Sequence, residues 1–275
     1  MVLNGVDGIF IERLGILYSS YPLLINNTID VYIYSAMIMS SKDGVIVFDA
    51  DRIMLDNIVI RNTSDTILYA ENVGEFIINS GQVISGGSIV VVDTCNANIN
   101  NTEIIAINLH VEDIERIFFN NATLNMSDSV YLWDADKISI SYSRIYSTSS
   151  GILIGHADNV TLCRTHIEST YAAIKSNYTR VLVVNYSIIN APYGILCYDT
   201  SNTSMSNILL SGNKTAIIIE NASAVYMKNL TVLEFTNGIM LDHVKNTTVS
   251  SVVLQTRHAL CINNARKVAV SHLHI

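Results

Sequence analysis

Branched apolar residues recur along this chain in pairs separated by one residue, and the pairs themselves recur about every 22 residues. Lined up, the blocks read PLLINN, GVIVFD, TILYAE, SIVVVD, NLHVED, SVYLWD, GILIGH, AAIKSN, GILCYD, AIIIEN, GIMLDH and ALCINN. They start at Pro22, Gly44, Thr66, Ser88, Asn108, Ser129, Gly151, Ala172, Gly194, Ala216, Gly238 and Ala259. A fixed period of this length is the signature of one supersecondary unit stacked on itself. Counting from the first residue of a block, positions 2 and 4 hold Val45 and Val47, Ile67 and Tyr69, Ile89 and Val91, or Ile239 and Leu241. Positions 10 and 12 hold Val31 and Ile33, Ile53 and Leu55, or Val160 and Leu162, and position 17 is Ile38, Ile60, Ile104, Ile167, Ile188 or Leu210.

Alternation of apolar and polar residues marks strands, and Asn, Asp, Ser, Thr and Gly between the pairs supply turns. No apolar spacing of helical period runs for ten residues. The pattern therefore predicts an all-β parallel β-helix, a single-stranded solenoid of about 12 coils with three short strands per coil, as one domain over 1–275. Lys175 violates a core column; a one-residue shift that turns Ala172 and Ile174 inward is expected there, because burying an ammonium is costly. The first core pair, Ile9 and Ile11, falls at positions 10 and 12, and the last residue falls near position 17. With no end caps, the reading is a segment of a longer polypeptide.

Blocks such as GILIGHADNVTL and GIMLDHVKNTTV resemble the right-handed parallel β-helix repeat of the pectin-lyase-like superfamily. They are also similar to the NosD-type repeats of secreted and archaeal cell-surface β-helix proteins. The resemblance implies a right-handed coil, as the general handedness of β-crossovers does. It implies no particular substrate.

Composition narrows the picture. The chain is 49% hydrophobic and 15% charged, with 13 Gly and two Pro, which suits buried strands with polar turns. A net charge of −8 without a run of Lys or Arg argues against nucleic acid as partner. No apolar run is long enough for a membrane span in this segment. The four cysteines fall at different places in the repeat and read as small buried hydrophobes, not as stacked disulfides or a metal site.

Function has to be sought in the outward columns. Asn-x-Ser/Thr occurs at Asn26, Asn62, Asn100, Asn121, Asn125, Asn159, Asn177, Asn185, Asn202, Asn213, Asn221, Asn229 and Asn246, always on turns or outward places, which predicts N-linked glycans. Position 3 is apolar in Ile46, Leu68, Val90, Tyr131, Leu153, Leu196, Ile218 and Met240, an outer stripe expected to meet another chain or flanking domains of the same chain. Position 6 carries Asp49, Glu71, Asp93, Asp113 and Asp134 in successive blocks. Like charges at rung spacing repel, so this column is either a ladder for a divalent cation, calcium by preference, or a set of Asx turns splayed into water. No other cofactor is called for. Asp134, Asp136, His156 and Asp158, with Arg164 or Lys137 nearby, form the only group resembling an acid/base pair, and Gly155-His156-Ala157 is a weak echo of a glycosidase signature.

The reading that follows is a non-catalytic structural or interaction module of an exported, N-glycosylated, extracellular cell-surface, filament or adhesin-type protein. Its partners would be proteins of a surface assembly. The alternative is a polysaccharide-binding or polysaccharide-cleaving β-helix enzyme.

Overall fold

In the computed structural model, which describes residues 1–17, 23–39 and 42–275, the period-two pairs become strands that repeat coil after coil. The chain is an all-β parallel β-solenoid of about twelve turns, about 22 residues apart, with no helix among the described residues. Pro22, the start of the first sequence block, lies outside the described residues. Two compact units divide the chain, Met1–Asp136 and Lys137–Ile275.

In the first unit, long segments form two sides of each coil: Leu23–Tyr34, Val45–Asp56, Thr66–Asn79, Ser88–Asn100 and Leu109–Asn120. The third side is short: Met37–Met39, Val59–Arg61, Gln82–Ile84, Glu103–Ala106 and Thr123–Met126. Neighbouring coils pair in parallel with matched columns, Val31 beside Ile53 and Ile33 beside Leu55. Ile53 continues to Phe76, and Phe76 to Ala97. Each of these side chains is almost fully buried, so the core is a stack of columns, and in one of them the large Phe76 stands next to the small Ala97.

The second unit repeats the arrangement with sides such as Ile152–Gly155, Asn159–Cys163 and His166–Ser169. Its inward column runs Ile154, Ser176, Cys197, Ile219 and Leu241. The Ser176 hydroxyl is fully buried and lies 2.7 Å from the Thr179 hydroxyl, so its polar atom is satisfied inside the core. Gly151 is needed where coils close up. A Cβ built on it would stand 2.5 Å from the Ala173 carbonyl oxygen.

The expected shift at Lys175 is present: Ile174 pairs with Ile152 in the buried column, and Lys175 faces outward beside Leu153. A second shift was not anticipated. Ser88 pairs with Thr66 but Ile89 pairs with Leu68, so Ile67 is an extra residue in its coil. The consequences correct two sequence assignments. Leu68 is fully buried and Tyr69 takes the outward place; Glu71 stands in register with Phe48, leaving Asn72 at the turn beside Asp49. Ile188 is likewise turned out, at 45% exposure, and Ile189 fills the core column. A slip of one residue exchanges the two faces of a strand.

Candidate functional site

Each coil bends at position 6 through a residue in the left-handed backbone region. In the first unit these are Asn27, Asp49, Asn72, Asp93, Asp113 and Asp134, with φ between 47° and 54°. Asn and Asp tolerate that conformation because a short polar side chain bonds locally to backbone. The Asn72 amide donates to an Asp49 carboxylate oxygen at 2.6 Å, tying adjacent rungs. The next three rungs carry only carboxylates, Asp93, Asp113 and Asp134, and Glu115 and Asp136 stand two residues further on. Together they line an open depression of about 410 Å³. Asp113 stands in the middle. Partial desolvation, then the charges of Asp134, Asp93 and Glu112, hold its carboxyl above the usual range.

The proposed cation ladder is not assembled. Glu71 is absent from the column, and among the described residues no group of three or more His, Cys, Asp or Glu side chains is placed to hold a metal ion. The carboxylates of Asp93, Asp113 and Asp134 are exposed at their turns.

The equivalent turn in the second unit holds His156, Tyr178, Asp199, Asn221, His243 and Asn264. Asn221 donates to Asp199 at 3.1 Å and Asn264 to Asp242 at 3.0 Å. Asp242 also lies 3.1 Å from His243 Nδ1, and these contacts, that of Asn264 foremost, depress its carboxyl. Beside them Lys245 and Arg266 are register partners on successive coils. With Asn221, Ser223, His243 and Asn264 they line a depression of about 400 Å³. Neither cation meets a carboxylate among the described residues.

The sequence contains a charge division that the net value conceals. The first unit carries 5 Lys and Arg against 18 Asp and Glu, and the second 11 against 6. Counting by halves would have found it. A further turn, one side later, is also left-handed: Ser35, Asn57, Ser80, Asn101 and Asn121 in the first unit; Tyr142, Arg164, Tyr186, Asn207, Asn229 and Ser251 in the second. Bulky residues there give no sequence signal for such a turn.

The candidate acid/base residues are engaged elsewhere. Asp134 and Asp136 belong to the acidic depression. In the second unit Asp158 pairs with Arg180 at 3.2 Å, His156 stacks on Tyr178 at 4.9 Å, and Arg164 donates to the Tyr142 hydroxyl at 2.5 Å. Among the outer-stripe positions, Ile46, Val90 and Tyr131 of the first unit and Leu153, Ile218 and Met240 of the second face outward and are half-buried. Leu196 lies in the same column, between Lys175 and Ile218, but is only 4% exposed and offers no surface. All thirteen sequon asparagines reach the surface, nine of them exposed and Asn26, Asn100, Asn177 and Asn185 half-buried. At Asn26, Asn121, Asn221, Asn229 and Asn246 the Nδ2 atom, which would carry a glycan, donates a hydrogen bond to the neighbouring coil. Behind Asn26, Asn100, Asn177, Asn185 and Asn213 the hydroxyl residue two places on is buried: Thr28, Thr102, Thr179, Ser187 and Thr215.

Stacked parallel coils with a buried apolar interior and side chains presented in columns define a parallel β-helix protein. Residues 128–275 match the family described as right handed beta helix region, and the chain belongs to that family. No curated protein and no solved structure matches the chain.

Proposed function

We propose that the chain is a non-catalytic structural and interaction module of an exported, N-glycosylated cell-surface, filament or adhesin-type protein. The observation that carries this reading is the outward column, half-buried and apolar at Ile46, Val90 and Tyr131 of the first unit and at Leu153, Ile218 and Met240 of the second, bordered by charged turns. Such a surface suits contact with another protein. Surface placement of all thirteen sequon asparagines supports the glycoprotein part of the reading. Incubation with a panel of acidic and neutral polysaccharides is expected to give no new ends, and electron microscopy of native material is expected to find the solenoid within a larger assembly. Peptide mass spectrometry that finds every sequon bare would sink the glycoprotein part. The alternative, a polysaccharide-binding or polysaccharide-cleaving β-helix, draws on the acidic depression around Asp113; release of reducing or unsaturated ends that is lost on Asp113→Asn would establish it.

A further inference from the structure

Resting on the interaction-module reading, the structure points to the partner. We propose that the basic corner of the second unit docks the acidic corner of the first unit of another copy of this chain. Lys245 and Arg266 stand on successive coils, with His243 at the adjoining turn, and neither cation has a counter-charge among the described residues. Asp93, Asp113 and Asp134 stand on successive coils at the equivalent turn, flanked by Glu115 and Asp136, and none of these five has an ion-pair partner among the described residues. Both ladders therefore have the same pitch, one rung of parallel strands, about 4.8 Å. Opposed, Lys245 and Arg266 can each face a carboxylate one rung from the next, and each ladder relieves the like-charge repulsion within the other. The matching extends beyond these side chains, because acids outnumber bases 18 to 5 in the first unit and bases outnumber acids 11 to 6 in the second. Half-buried apolar residues adjoin both corners, Val90 and Tyr131 beside the acids, Ile218 and Met240 beside the bases. Apolar contact supplies affinity while the charges set encounter and orientation. Because the two patches differ, every copy offers one of each, and the contact propagates from copy to copy as a ring or an open filament.

Sedimentation velocity of the full chain over a wide range of concentration tests this. The expected result is association at low salt that weakens by roughly tenfold or more as sodium chloride rises to ~0.5 M. Lys245→Glu with Arg266→Glu is expected to leave only acidic corners and to be monomeric. Asp113→Lys with Asp134→Lys is expected to leave only basic corners and to be monomeric as well. Mixing the two variants is expected to restore association, which also shows that both are folded. A wild-type chain that stays monomeric at low salt and high concentration overturns the proposal, as does either double variant associating alone. Heparin bound at Lys245 and Arg266 by a chain that does not self-associate would assign that corner to a polyanion instead. The module reading is decided separately, by the polysaccharide panel and by microscopy of native material.

Discussion

Replacing Phe76 by alanine probes whether the core is held as columns. The ring is fully buried, with Ile53 below it and Ala97 above it in register. Losing its burial costs about 2 to 3 kcal/mol in transfer free energy. Both neighbours sit on strands fixed by ladders on either side, so the hole has little room to collapse. A residual cavity of roughly 80 Å³ at about 24 cal/mol per Å³ adds about 2 kcal/mol, for a total of about 4 to 5 kcal/mol. Ala97→Phe alone overpacks the same column and is expected to cost about 1 to 3 kcal/mol. In the double variant the ring moves up one rung into the space vacated, and the cost should fall below the sum of the singles by about 1 kcal/mol or more. Guanidinium unfolding followed by far-UV circular dichroism measures all three, and hydrogen exchange in Thr66–Asn79 and Ser88–Asn100 localises the effect. A Phe76→Ala cost below about 1 kcal/mol, or strict additivity in the cycle, would refute stacking of these side chains against one another.

Gly151→Ala should lower stability by about 1 to 3 kcal/mol in thermal denaturation, because the new methyl meets the Ala173 carbonyl oxygen at 2.5 Å and Ile167 Cγ2 at 2.7 Å. Gly86→Ala, with nothing within 4 Å, is the matched control and should be close to neutral. Of the four cysteines only Cys197 is buried as the sequence suggested, and its thiol, pushed up to about 12 by burial, should react with Ellman's reagent only on unfolding; Cys95 and Cys261 are exposed, against that expectation, and should react readily in the native chain. Because the Asp113 carboxyl titrates above 3.8 in the folded chain, its ionisation opposes folding as pH rises through that raised value. Asp113→Asn should therefore stabilise the chain at neutral pH, with the gain disappearing below pH 3.8; a gain that persists in acid would contradict the electrostatic cause.

Core columns were legible because burial enforces them. Ile53, Leu55, Val160 and Leu162 each occupy the inward place their spacing predicted. The shift at Lys175 was legible for a related reason, since an ammonium in a core column raises an objection that Ile174 answers. Nothing raised an objection in Thr66-Ile67-Leu68-Tyr69, where Ile67 and Leu68 are both buried and either register places an apolar residue inside. The outer columns then inherited the error, and Glu71 was placed at a turn that Asn72 occupies. Left-handed turns at Asn and Asp follow from side-chain chemistry, whereas Tyr142, Arg164, Tyr178 and Tyr186 adopt the same backbone because the stack imposes it on every coil. Charge was legible only once the chain was divided, because a net value of −8 sums two units of opposite sign.

The hydroxyls buried behind Asn26, Asn100, Asn177, Asn185 and Asn213 order events in time. Thr102 and Ser187 turn back to the carbonyls of Asn100 and Asn185, at 2.7 and 2.9 Å, and are out of an enzyme's reach once their coils have closed. A sugar found at those asparagines must have been attached while the local chain was still open. Asn125, Asn159 and Asn221, followed by exposed Ser127, Thr161 and Ser223, impose no such deadline. The pattern of occupancy along one molecule would thus record whether modification preceded or followed the winding of the solenoid.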